Sequence, residues 1–209
     1  ALICTEQTDV IQSSSTLGMC TVSVLPISPE FDIRRNDPNV LLMEYCSFKR
    51  EGGEYGDEYP ILAVQQILVE ENYHGKLTQK FTFRTDFVIK GLKIALEDAA
   101  EHTILMNGIP VEVAVDGYYR AKAFETVSLP DSIIGTNTIE ITRDFVPLAK
   151  IRRKISSLFE TRNGVELEAA YLIGDFAVKM TQMPERNGDL RYSRKNIILT
   201  KEKSTVYGE

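Results

Sequence analysis

The sequence contains no tryptophan and only two histidines in its 209 residues. Without tryptophan there is no indole face, the strongest aromatic platform for stacking. His74 lies in the turn-like stretch Asn72-Tyr73-His74-Gly75, and His102 follows Ala99-Ala100-Glu101. Neither has a second histidine or a cysteine at metal-ligand spacing, so both read as loop residues. The cysteines are three, Cys4, Cys20 and Cys46, an odd number with no CxxC spacing. They form no disulfide framework and decide no compartment. No apolar run approaches the ~20 residues of a membrane span, and no basic-then-apolar leader opens the chain. The abrupt start at Ala1 leaves room for a leader upstream. Metalloprotease, nucleophile-elbow, phosphate-loop and dinucleotide motifs are missing as well. A Ser-His-Asp arrangement is defined by geometry, not by sequence order, but nothing favours one.

Charge excludes a further class. The net charge is −6, and a phosphate backbone would be repelled by that average field, so no nucleic-acid partner is expected. The one basic cluster, Lys150 to Lys154, carries apolar residues at helical spacing and reads as a solvated helix face. At 43% hydrophobic and 26% charged, the composition is that of a globular chain able to bury a core.

Short apolar or alternating runs occupy most of the chain. Strands are expected at Met19–Leu25, Val40–Tyr45, Leu77–Phe83, Phe87–Leu96, Thr103–Met106 and Val111–Val115. Further runs follow at Ala123–Leu129, Asn137–Ile141, Glu168–Ile173, Phe176–Met180 and Asn196–Thr200. Asn107-Gly108 sits between two such runs, a strong hairpin signal because a type I′ turn needs positive φ at both central residues. Asp116-Gly117, Gly135 and Asn163-Gly164 punctuate later runs. Two segments have helical period instead. Pro60–Glu71 spaces Ile61, Val64, Ile67 and Leu68 on one stripe behind a first-turn proline, and Leu148–Phe159 repeats the pattern. Lys49–Tyr59 reads as an exposed loop. The expected fold is an all-β antiparallel sandwich with one or two short helices.

Paired carboxylates suffice for glycoside hydrolysis when their environments differ. The candidates Glu97, Asp98 and Glu101, with Asp57, Glu58, Glu70 and Glu71, sit in expected loops or on a helix flank and read as solvated charge. Binding chemistry is more legible. Aromatic faces pack on sugar rings while amides and charged groups meet the hydroxyls. Asp116-Gly117-Tyr118-Tyr119-Arg120 puts two tyrosines, an acid and an arginine in one expected turn. Adjacent side chains point oppositely, so one of Tyr118 and Tyr119 at most would face a ligand. The plainer reading makes one of them core and the other an incidental surface aromatic.

From Leu92 to Ile141 the chain carries an ordered set: Leu96-Glu97-Asp98, then Ile104 to Val111 with Asn107-Gly108 at its centre, then Gly135-Thr136-Asn137-Thr138-Ile139-Glu140-Ile141. This set resembles the jelly-roll, galactose-binding-like sugar-binding domain of family 2-type glycoside hydrolases. Asp37–Cys46 and Glu166–Phe176 look like segments flanking the accessory β domain of α-L-rhamnosidase-like enzymes of the family 106 type. The resemblance covers about residues 36–180. It implies three parts: residues 1–35 as leading strands and linker, 36–180 as the jelly-roll sandwich, and 181–209 as closing strands at the edge of a larger protein. In such enzymes the catalytic acid and base lie on a TIM barrel, which needs about 250 residues of alternating strands and helices, so no catalytic residue is expected here. Many such modules hold a structural calcium; the resemblance makes Glu97 and Asp98 the candidate ligands, although no ligand loop is legible around them.

Three functions stay open. The first is a non-catalytic accessory sandwich of a glycoside-hydrolase-like parent, either contributing to its substrate pocket and contacting carbohydrate or only packing on its catalytic domain. The second is an autonomous carbohydrate-binding module around Tyr118, Tyr119, Asp116, Arg120 and Asn107. The third is a small hydrolase that uses loop carboxylates. No cofactor beyond calcium and no membrane contact is expected.

Overall fold

The computed structural model describes residues 37–147, 164–180 and 197–201. All of these lie in the second of the two units into which the chain divides, residues 36–209. The strand expected at Met19–Leu25, the helix expected at Leu148–Phe159 with its basic cluster, and Cys4 and Cys20 fall outside the described residues.

Two β-sheets pack face to face. The first has five strands in the order β1 (Asn39–Met43), β11 (Ala170–Gly174), β5 (Lys93–Glu97), β9 (Ala121–Ser128) and β8 (Val115–Tyr119). The second has eight. Its main path runs β12 (Ala177–Met180), β13 (Ile197–Thr200), β4 (Gly75–Thr85), β10 (Gly135–Phe145), β6 (Thr103–Met106) and β7 (Ile109–Val111). β2 (Tyr45–Arg50) lies beside β4, and β3 (Glu58–Pro60) beside β2. Pairing is antiparallel throughout except where Leu199 of β13 meets Thr85 of β4.

The spine is β4 against β10, paired over all eleven residues from Gly75↔Phe145 to Thr85↔Gly135. Both strands alternate. Leu77, Phe81 and Phe83 face inward with Ile139, Ile141 and Phe145, while Thr78, Lys80, Thr82 and Glu140 face out. The opposite sheet contributes Ile94, Leu96, Val127 and Leu172 to the same core. Each such side chain stabilises the fold by about 1.5–3 kcal/mol on burial. The single helix among the described residues, α1 (Ile61–Glu70), adds Ile61, Val64 and Leu68. Its end is a Schellman motif. Asn72 adopts φ 51°, Tyr73 N donates to Leu68 O and Asn72 N donates to Val69 O.

The Asn107-Gly108 turn has φ 53° and 79°, as a type I′ hairpin requires, and it joins Met106 to Ile109. Other segments differ from the sequence reading. Pro60 precedes the helix in extended geometry, because it still pairs with Tyr45. Of Phe87–Leu96 only the last four residues are strand, the start of β5 (Lys93–Glu97). Gly91 turns the chain at φ 64°, and the preceding loop plugs Ile89 into the core with its N–H donated to Ser132 Oγ. The strand expected at Val111–Val115 breaks between β7 and β8. The loop expected at Lys49–Tyr59 is bounded by strand residues, because Ser47–Arg50 pairs with β4 and Glu58–Pro60 with β2. Asp116–Arg120 is not a turn. Asp116 to Tyr119 belong to β8, and the chain reverses at Arg120 with φ 61°. Cross-strand bonds from the Asp116 side chain to β9 outweigh the local turn preference of Asp-Gly.

Candidate functional site

Four of the sequence candidates stand together on β8 and the turn after it, at one edge of the five-stranded sheet. Leu172 of β11 faces the core, so Tyr171 beside it faces the other way. Tyr119 reaches that outer face and meets Tyr171 at a centroid distance of 5.4 Å. Phe124 also packs on Tyr171, edge to face, with ring centroids 5.2 Å apart. The Arg120 guanidinium lies 5.6 Å from the Tyr119 ring centre, within cation–π range. Tyr118 is 59% exposed. Asp116 accepts hydrogen bonds from Thr126 Oγ1 and Ser128 Oγ, each at 2.7 Å, and pairs with Lys93 Nζ at 2.9 Å. Burial works to raise its pKa, but these hydroxyls and the ammonium outweigh it and hold the carboxyl at about 2. The charge is therefore permanent at neutral pH and rigidly placed. The result is an aromatic and charged strip that could carry a flat, hydroxyl-bearing ligand.

Asn107 stands apart, in the β6–β7 hairpin of the other sheet. Its Nδ2 donates to Asn137 Oδ1 and its Oδ1 accepts from Thr138 N, both at 2.9 Å. Asn137 is fully buried, accepts from Ile133 N at 2.9 Å and donates to Ile133 O at 2.8 Å. The two asparagines clasp the 131–135 loop to the hairpin. Ile109, Ile133 and Ile134 project around this clasp, 60%, 54% and 66% exposed.

Glu97 and Asp98 end β5. Asp98 takes left-handed geometry, φ 50°, and leads a 3-10 turn over Ala99–Glu101. Its carboxylate is 4.0 Å from Arg143 Nη2. Among the described residues no group of three or more His, Cys, Asp or Glu could hold a metal ion.

Beside the end of β5 lies a pocket that no local pattern in the sequence marks. Gln79, His102, Arg143, Glu166 and Glu168 line it above an apolar floor that includes Phe81, Leu96 and Ile141. Its volume is about 30 Å³, room for roughly two waters. Arg143 is only 14% exposed, and its Nε is buried without a hydrogen-bond partner. His102 Nδ1 lies 2.8 Å from Asp98 O. Burial, helped by the nearby Arg143 charge, lowers the His102 pKa and outweighs the opposing pull of Asp98 and Glu101. The signal for Arg143 was present. The alternation that turns Asn137, Ile139 and Ile141 inward reaches Arg143 two residues later. His102 read as a loop residue, and only the fold places it beside this pocket.

On the outer face of the eight-stranded sheet, Tyr55 is fully engaged. Its hydroxyl donates to Glu140 Oε2 at 2.7 Å, and Lys80 and Lys49 ammoniums lie 3.7 Å and 4.6 Å from its ring centre. Burial and the Glu140 carboxylate push its pKa up.

No protein-family model matches the chain, and no curated protein matches it. Among solved structures it is similar to a GH2 β-galacturonidase from Eisenbergiella tayi, crystallised with glycerol and with galacturonate. That match has 14% identity and a TM-score of 0.43, and covers 70% of this chain and 26% of the other. A β-D-glucuronidase of Dictyoglomus thermophilum matches with 13% identity and a TM-score of 0.40, over 74% of this chain and 32% of that one. This chain thus spans about a quarter to a third of the length of these glycosidases.

Proposed function

We propose that this sandwich is a non-catalytic accessory domain of a glycoside-hydrolase-like protein, supporting its catalytic domain. The observation that carries the reading is the isoleucine group around the Asn107–Asn137 clasp. Ile133 and Ile134 are held out to solvent by a hydrogen-bonded and therefore rigid loop, and Ile109 by strand β7 of the hairpin clasped to it. A grouped, fixed apolar surface is what a docked neighbouring domain covers. The resembling segments fit this reading as parts of one body. Asp37–Cys46 supplies β1 and Glu166–Phe176 supplies β11, and the two pair from Asn39↔Gly174 to Met43↔Ala170 beside β5. The polar pocket, at about 30 Å³, is far below the roughly 300 Å³ at which small-molecule sites begin, too small to enclose a pyranose.

Two measurements on the chain test this. A hydrophobic dye should bind the native protein, and Ile133→Lys with Ile134→Lys should abolish that binding without lowering the melting temperature. Absence of dye binding would remove the docking argument. Aryl glycosides should not be turned over; turnover lost in Glu97→Gln or Glu168→Gln would establish the small hydrolase instead.

A second reading, an autonomous carbohydrate-binding module, is favoured by the Tyr119–Tyr171–Phe124 cluster with Arg120 beside it. A glycan and calorimetric screen, with and without calcium, decides it. Saturable binding lost in Tyr118→Ala or Tyr119→Ala would establish the module, and a calcium requirement lost in Glu97→Gln would make Glu97 a ligand.

A further inference from the structure

The polar pocket between the ends of β5 and β10 has a donor that nothing in the fold uses. Arg143 Nε is the only buried side-chain nitrogen or oxygen among the described residues without a partner. A buried N–H left unpaired costs free energy, and native proteins seldom tolerate one unless it has an external acceptor. The nearest ionic neighbour, Asp98, is 4.0 Å from a different nitrogen of the guanidinium and largely exposed, so it does not answer the need.

The lining selects among acceptors. An anion would satisfy Arg143 but would sit beside Glu166 and Glu168. A cation would suit the carboxylates but would face the guanidinium. A hydroxyl both donates and accepts, so it can take the Arg143 N–H and give its own proton to a carboxylate or to the Gln79 side chain. The planar edge of a guanidinium offers two parallel donors, which match two neighbouring oxygens. The volume, about that of two waters, matches two such oxygens and not a whole ring.

The mouth is also held in place. Gln65 of α1 clamps the 165–167 segment, donating to Val165 O at 3.2 Å and accepting from Leu167 N at 2.9 Å. Val165 N in turn donates to Val146 O at 2.8 Å. Glu166 and Glu168, which line the pocket, are themselves exposed to solvent. A preformed site of this kind costs little ordering on binding.

We propose that this pocket is a binding site for a vicinal diol, the projecting edge of a sugar or sugar alcohol, gripped by Arg143 with Gln79. It lies apart from the tyrosine strip and does not depend on that surface binding carbohydrate.

The test reads the Arg143 Nε–H resonance in a ¹H–¹⁵N spectrum of the whole chain, assigned by its loss in Arg143→Lys. Sorbitol and methyl glycosides are titrated in, with 2-propanol, sodium acetate and magnesium chloride as controls. The expected result is a saturable shift with the diol compounds and at least tenfold weaker responses to the controls. Gln79→Ala should weaken the diol response at least tenfold while the melting temperature stays within a few degrees. Tyr119→Ala should leave it unchanged. A stronger response to acetate or magnesium would overturn the proposal, as would a resonance that no compound moves, which would mean water only. Glycan binding lost in Tyr119→Ala with the Arg143 signal unmoved would leave the module standing and the diol pocket refuted.

Discussion

Two polar residues on the inward face of β10, six positions and roughly 20 Å apart, have opposite fates. Asn137 is fully buried and its side-chain amide is engaged on both sides, by Ile133, Gly135 and Asn107. Arg143 is almost as deep, yet its Nε has no acceptor. A satisfied buried amide behaves as structure, pinning a loop and a hairpin in one arrangement. An unsatisfied guanidinium edge carries a free-energy cost that the fold leaves open for a ligand to relieve. The same strand thus ends in a clasp at one side and in a binding pocket at the other.

The comparison can be sharpened by substitution, beginning with an apolar yardstick between the two. Ile139→Ala, at a fully buried position, should cost about 3–4 kcal/mol in urea unfolding; a cost below about 1 kcal/mol would reject the inward face of β10. Asn137→Ala should cost about 3 kcal/mol, because Ile133 N and Asn107 Nδ2 both lose their acceptor. If Asn137→Ala proved neutral, the clasp would be ornamental and the contrast with Arg143 would collapse. Asn107→Ala should cost about 2 kcal/mol, roughly half from left-handed strain and half from lost hydrogen bonds. Asn107→Gly loses the same hydrogen bonds but avoids the left-handed strain, so it separates the two.

At the other end of the strand, pH is the probe. His102 has its pKa lowered in the fold, so the unfolded chain takes up a proton near 6.5 that the folded chain resists. The associated stability is complete above pH 6.5 and declines as pH falls below it, with a slope of at most about 1.4 kcal/mol per pH unit, the value for one proton. His102→Gln should flatten that slope; an unchanged slope would show the imidazole to be solvated. The smallest effect is expected at Arg143 itself. Arg143→Met removes a buried charge and an orphan donor together, so stability should change by less than about 1 kcal/mol or rise. It should also move the His102 midpoint upward, since Arg143 contributes to its depression. A loss of 3 kcal/mol in Arg143→Met would mean that the guanidinium holds the fold, not a ligand.

Much of the sandwich was legible. The alternation in Leu77–Phe83 and Asn137–Ile141, the Asn107-Gly108 turn and the stripe Ile61, Val64, Leu68 appear where local period and turn chemistry placed them. The errors share one cause. Phe87–Leu92 is apolar because it plugs a loop into the core, and Asp116-Gly117 is extended because Thr126, Ser128 and Lys93 hold Asp116 from across the sheet. Local preference is a few tenths of a kcal/mol to one per residue, and a handful of cross-strand bonds outweighs it.

The candidate sites divide the same way. Asp116, Tyr119 and Arg120 are neighbours in sequence and remain neighbours in space. Tyr171 and Phe124 complete their cluster only because β11 and β9 both flank β5. Asn107 is drawn into a clasp with Asn137, thirty residues away in sequence. The pocket gathers Gln79, Glu97, His102, Arg143 and Glu166 from elements spread over nearly ninety residues. By itself the amino-acid sequence determined the strands, the turn and the inward faces, because these follow from side-chain period and backbone sterics. Only the tertiary structure decided which polar groups are satisfied and which are left waiting, because burial and partnership depend on how two sheets close over one another.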